Sequence, residues 1–222
     1  MQLPKLETMM RHLIGSPSVS SVSPEWDQSN AQVIDHLADW CETAGFRVER
    51  LPIAGHPGKF NLVASIGSGP DGLVLSGHTD TVPWDEGEWQ HDPFCLTEAN
   101  GRLYGLGTAD MKSFLALAIE ACRELRAGDL QEPVILLATA DEETSMCGAR
   151  ALVEQRTLQA RHAIIGEPTS MRVIEGHKGC FEYTTEFDGL EGHSSAPGAG
   201  VNAVEYAALR DVSFSVQRGE TV

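Results

Sequence analysis

The chain has 222 residues, 41% hydrophobic and 22% charged, enough apolar content for one large domain or one domain plus part of another. Lys and Arg number 16 against 32 Asp and Glu, a formal net charge of −16, which excludes nucleic acid and acidic membrane surfaces as partners because both demand basic patches. Five cysteines without a C-x-x-C pair, no apolar leader in MQLPKLETMMRHLIGSPSVS and no run of transmembrane length read as a reduced, cytoplasmic protein.

Along the chain, SPEWDQSNAQVIDHLADWCETAGF places Val33, Leu37, Trp40 and Ala44 at helical spacing, with Ser23 and Pro24 suited to the start and Gly45 to the stop. FRVERLPI and FNLVASIG read as strands, and GLVLSG as a buried one. The strongest predicted helix is MKSFLALAIEACRELRAG, with Phe114, Leu117, Ala118, Ala121 and Leu125 on one stripe and Gly128 beyond its end. PVILLAT and HAIIG read as buried strands, with GARALVEQR between them as a short helix. Strands alternating with helices predict an α/β fold with a mixed, partly parallel sheet. From about Gly176 the texture changes: HKGCFEYTTEFDGL reads as a half-exposed strand and GVNAVEYAAL as an amphipathic helix. The predicted organisation is a first domain over 1–177, the start of a second over 178–208 and a tail over 209–222.

Open α/β sheets bind ligands beyond the carboxyl ends of their strands. GLVLSG is followed there by His78 and Asp80, PVILLAT by Asp141, Glu142 and Glu143, and HAIIG by Glu167, while Asp110 stands just before the long helix. Each has an ordinary explanation alone: a turn histidine, an N-cap aspartate, solvated glutamates. Together they crowd one imidazole and several carboxylates at one sheet edge, where like charges raise each other's pKa unless a dication sits among them. One imidazole with carboxylates suits zinc, cobalt or manganese, and the two oxygens of Asp110 can bridge two ions. Asp80, two residues after His78 in extended backbone, is expected on the same side, its carboxylate accepting the second imidazole N–H. Glu142 and Glu143, as extended neighbours, are expected to point to opposite sides, one ligating and the other acting as general base.

The stretches SGHTDTVP, LYGLGTADMK, ATADEETSM, IIGEPTS and GHSSAPGAGVNA together resemble the di-zinc aminoacylase/carboxypeptidase superfamily, from the N-terminus to about Ala208. The resemblance implies a zinc-exopeptidase-like catalytic domain, with flanking helices, and the start of an α+β lid and dimerisation domain. It implies that His78, Asp110 and Glu167 hold one zinc, that Asp110 bridges to a second held by Glu143, and that Glu142 is the general base and acid. His193 would reach a partner subunit's site and stabilise a tetrahedral oxyanion. The activity implied is metal-dependent hydrolysis of the amide of a small N-acyl amino acid, in a homodimer carrying two divalent ions, zinc or else cobalt. The resemblance also implies a late histidine on the second zinc. No histidine follows His193, so a weakened second site and impaired turnover, at the extreme a non-catalytic remnant, are expected. The tail ALRDVSFSVQRGETV resembles instead the leader of an ABC-transporter ATPase, lacks any phosphate-binding loop and is expected to be foreign to the domain.

Overall fold

A computed structural model describes residues 2–85, 87–155, 158–176 and 190. Helix α1 (Leu6–Ile14), which has no counterpart among the predicted elements, turns Met9, Met10, Leu13 and Ile14 inward at helical spacing. Helix α2 (Ala31–Thr43) buries Val33, Ile34, Leu37, Ala38, Trp40 and Cys41. It ends at Gly45, whose φ of 90° a residue with a Cβ adopts only under strain. The helix does not begin near Ser23. Residues 24–26 form a turn and 27–30 have no regular structure, because their polar groups are held elsewhere. The amides of Trp26 and Asp27 donate to the Ser23 carbonyl at 3.0 and 3.1 Å. The Gln28 side chain accepts the Val19 amide at 3.0 Å, and the Asp27 carboxylate accepts from Lys59 at 2.7 Å.

Strands β1 (Arg47–Pro52), β2 (Phe60–Ile66) and β3 (Leu73–His78) are followed by a small hairpin, β4 (Thr97–Ala99) and β5 (Arg102–Tyr104). Helix α3 (Lys112–Ala121) leads to β6 (Val134–Thr139), helix α4 (Cys147–Gln155) and β7 (His162–Ile165). Helix α3 stops short of the predicted Gly128. The Cys122 amide shares the Ala118 and Ile119 carbonyls, and the Arg123 guanidinium reaches back to the carbonyls of Leu3 and Pro4. Leu125 still packs against the core, but from a turn rather than from the helix.

The main sheet has the order β1-β2-β6-β3-β7. β2 pairs antiparallel with both β1 and β6, whereas β6, β3 and β7 are mutually parallel, so the sheet is mixed as expected. The core lies between this sheet and α1, α2 and α3, with Leu13, Leu37, Leu62, Leu115 and Leu136 at most 2% exposed. A smaller cluster joins Ile53, Ala140, Cys147 and Ala151 beneath α4. The expectation that HAIIG is a buried strand is corrected. β7 is an edge strand paired through β3 alone among the described residues, and Ile164 and Ile165 are 51% and 64% exposed.

The chain divides into two compact units, Met1–Val173 and Ile174–Val222, where the predicted boundary is 177. All the elements above belong to the first. The predicted strand from His177, the helix GVNAVEYAAL, His193 and the tail 209–222 lie outside the described residues.

Gly148, near the start of α4, is a point of close approach. A Cβ there would stand 2.5 Å from Asn61 Oδ1 and 2.6 Å from both the amide nitrogen and the carbonyl oxygen of Ala140. Gly148→Ala is expected to destabilise the fold by about 1–3 kcal/mol through overpacking. Gly128→Ala, where a Cβ meets nothing within 4 Å, is expected to stay within about 0.5 kcal/mol. Urea midpoints at constant slope measure both.

Candidate metal centre

The parallel pairing of β3 with β6 sets His78 opposite Thr139, and β7 joins β3 with Ser76 opposite Ile165. The carboxyl ends of three parallel strands therefore meet at one edge. His78 and Asp80 leave the first, Asp141 to Glu143 the second and Glu167 the third. Asp110 arrives from the loop before α3. It is not a helix cap: α3 is capped by Met111, with no side-chain hydrogen bond, and the Asp110 carboxylate turns to His78.

His78 is 2% exposed. Its Nε2 lies 3.0 Å from Asp110 Oδ1 and 3.9 Å from Glu167 Oε1, and its Nδ1 lies 3.0 Å from the Asp80 carbonyl oxygen. Both ring nitrogens thus face acceptors, which only the doubly protonated imidazolium satisfies. Burial opposes that charge, but Asp80, Asp110 and Glu167 outweigh it and raise the pKa to about 9.

Asp80 does something different from what was expected of it. Its carboxylate stands 3.6 Å from His78 Nδ1, and the ring bonds the backbone carbonyl instead. The two carboxylate oxygens accept the amides of Glu142 at 3.2 Å and Glu143 at 3.1 Å. Burial raises the Asp80 pKa, yet the adjacent imidazole and these amides hold it below the usual value.

The segment after β6 is a turn, not extended backbone. Asp141 has φ of 53° and is followed directly by turn residues. The side chains of Glu142 and Glu143 are therefore separated by the turn rather than by strand alternation. Ligand atoms of His78, Asp110 and Glu143 lie within 4.8 Å of one another, and so do those of His78, Glu142 and Glu167. Of the seven site residues named from the sequence, His78, Asp110, Glu142, Glu143 and Glu167 converge, each of these carboxylates half-buried or exposed around the buried imidazole, while Asp80 is buried beside them and His193 lies outside the described residues. Burial, with the neighbouring Asp110 charge, pushes the Glu143 carboxyl up to about 7. Glu167 is raised as well, by burial first, with His78 opposing and Asp110 and Glu142 adding to it. Carboxylates that resist ionisation around a proton-bearing imidazole form a donor set that one or two dications would satisfy better than protons do.

Two lysines complete the surroundings and went unread in the sequence. Lys112 directly follows Asp110 and Met111 and is 1% exposed. Its Nζ donates to the Ser16 carbonyl at 2.8 Å and to Ser18 Oγ at 3.1 Å, while Ser18 Oγ donates to the Thr79 carbonyl at 2.6 Å. Burial lowers its pKa to about 7, against a smaller opposing pull from Asp80. Lys59, at the head of β2, is 4% exposed and bonds Asp27 and Asp141, each at 2.7 Å. A charged residue opening a buried strand was the signal available for it. A further group, His56, Asp141 and Cys147, has ligand atoms within 4.8 Å, but there the Lys59 ammonium already supplies the cation.

On a mixed α/β sheet, one histidine and three glutamates at the ends of parallel strands, joined by Asp110 from the loop before α3, make a metal-type donor set. A profile of Peptidase family M20/M25/M40 matches residues 74–221, and the chain belongs to that family. The chain is 52% identical over 204 residues to the acetylornithine deacetylase of Proteus mirabilis, covering 92% of this chain and 53% of that protein. It thus spans about half the length of the curated relatives it matches. Among solved structures, an M20 metallo-carboxypeptidase of Sulfolobus solfataricus aligns with a TM-score of 0.62 at 23% identity, over 73% of this chain and 37% of its own. Human carnosine dipeptidase 1 aligns at 0.61 and 23%, over 72% and 38%. These structures share the fold.

Protons and cations compete at this centre, and the sign is definite. Below about 7 Glu143 carries a proton that a dication must displace. Apparent affinity for zinc or cobalt is expected to rise with pH through 7, with protons released. Titration calorimetry at pH 6 and 8 in buffers of different ionisation heat checks it. With chelator present the linkage reverses. Glu143 and His78 both bind protons more tightly folded than unfolded, so their contribution to stability is lost as pH rises through about 7 and about 9. A melting temperature of chelated protein that rose steadily across that window would contradict this assignment.

Proposed function

We infer that the chain carries the catalytic centre of an acetylornithine deacetylase-type metallohydrolase. The reaction is N-acetyl-L-ornithine plus water to L-ornithine and acetate, a step of arginine biosynthesis. One observation carries the reading: the five residues of the family pattern converge at one sheet edge, in a chain 52% identical to an acetylornithine deacetylase over 204 residues.

His78, Asp110 and Glu167 would hold one divalent ion, and Asp110 with Glu143 a second, zinc in the first instance and cobalt as substitute. When bound, the ions supply Lewis acidity toward water and the scissile carbonyl. The remaining work belongs to the protein. Glu142 takes the proton of the attacking water on a carboxylate oxygen and passes it to the leaving amine. Asp80 holds the amides of Glu142 and Glu143, which fixes the base relative to the ligands. His193 would stabilise the oxyanion from a partner subunit in a homodimer, and lies outside the described residues.

No helix among the described residues is long and apolar enough to cross a membrane, and a cytoplasmic biosynthetic role fits this reading.

Glu142→Gln is expected to lower ornithine release from N-acetyl-L-ornithine by roughly 10²–10⁴-fold while zinc content stays unchanged. His78→Ala is expected to lose both zinc and activity. Ornithine assayed beside zinc content on the same samples separates the roles. Preferential release from N-acetylcitrulline or succinyl-diaminopimelate would move the reading to another acyl amino acid. Zinc without turnover of any of the three would make the chain a non-catalytic remnant.

A further inference from the structure

Three carboxylates stand in a row at Asp141, Glu142 and Glu143, yet only the last two join the cluster. Asp141 points the other way and is 6% exposed. Its Oδ1 accepts from Lys59 Nζ at 2.7 Å, and its Oδ2 lies 3.7 Å from the Cys147 thiol. Lys59 is itself fixed. Its amide donates to the His56 carbonyl at 3.1 Å, its carbonyl accepts the Ile53 amide at 3.1 Å, and its Nζ has Asp27 as a second partner. Burial opposes the ammonium charge, and the two carboxylates outweigh it, so Lys59 stays charged.

The backbone gives this contact its consequence. Asp141 sits in the left-handed region at φ 53°, a conformation that side chains other than glycine adopt at a cost. Its carbonyl accepts the Met146 amide at 2.6 Å, closing the turn that presents Glu142 and Glu143. The turn is thus pinned twice: at its start by Lys59 from the head of β2, and in its middle by Asp80 from the end of β3.

We propose that Lys59 is a positioning residue of the metal centre, which acts through its buried ion pair with Asp141 to hold that carboxylate out of the cluster and to set the turn carrying Glu142 and Glu143. The proposal deepens the metallohydrolase reading and rests on it for the metal, but its structural half stands alone. Without the ammonium, Asp141 would be a buried unpaired carboxylate, and rotation toward solvent would bring another negative charge to an edge already crowded with them.

The test compares the whole chain with Lys59→Met, Asp141→Asn and the double variant. In the absence of metal, hydrogen exchange of residues 141–146 is expected to run about tenfold faster in Lys59→Met, with β3 and β6 unchanged. The double variant, with neither buried charge, is expected to exchange more slowly than Lys59→Met. Cobalt binding, followed by visible absorption, is expected to weaken about tenfold or more in Lys59→Met and to recover in the double variant. Unchanged exchange of the turn in Lys59→Met overturns the proposal, as does exchange quickened equally throughout the sheet, which would mean a general loss of stability. A double variant worse than Lys59→Met overturns the role of Asp141 as the link. Undiminished cobalt affinity with a loosened turn overturns the positioning role. If the unaltered chain takes up no cobalt, the metallohydrolase reading fails, and the exchange measurement still decides whether Lys59 sets the turn.

Discussion

The parallel pairing of β3 with β6, in the register that sets His78 opposite Thr139, is the constraint on which the rest depends. A slip of one residue would send His78 to the other face of the sheet and carry Asp80 with it. With the register fixed, the residues just past both strands share one edge. Asp80 can then span from one chain segment to the amides of the next. The apolar strands, β6 above all, specify that register by burying Ile135, Leu136 and Ala138. The chemistry at the edge is thus positioned by residues that take no part in it.

Much of this is written in the order of residue types. Short apolar runs bounded by glycine and proline mark the strands, and the positions just beyond each run hold His78, Glu142, Glu143 and Glu167. Asp110 is harder, since an aspartate before a helix has an ordinary use, and only its 3.0 Å contact with His78 distinguishes it from a cap. The long-range polar wiring stays hidden. Nothing local in PEWDQSN says that Asp27 is taken by a lysine 32 positions later, which is why a helix looks plausible there. Nothing local in ADEET says that Asp141 departs from extended backbone, so strand alternation wrongly describes the two glutamates. HAII has the composition of a central strand but occupies an edge among the described residues, and composition does not report neighbours.

The electrostatics of the edge arise from its crowding. The imidazolium of His78 holds its Nε2 proton toward Asp110, with Glu167 near by, and that proton stands where a stronger Lewis acid would satisfy the same oxygens. The raised pKa values of Glu143 and Glu167 are the other side of this arrangement. Lys59 and Lys112, both buried, lie behind the cluster and bond Asp141 and Ser16–Ser18 rather than its carboxylates.

The link from Lys112 to Ser16 and Ser18, and from Ser18 to the strand end at Thr79, also bears on the order in which the molecule can assemble. The support joins positions 96 residues apart in sequence, and the cluster itself is gathered from segments that begin at His78 and finish at Glu167. Contacts of such separation form late, after much loop-closure entropy has been overcome. During synthesis the first helices can pack as they emerge, but the donor set is complete only once the third parallel strand has added its glutamate. Completion of the donor set is then a closing event of folding, and the N-terminal loop has been waiting as part of its foundation since the beginning.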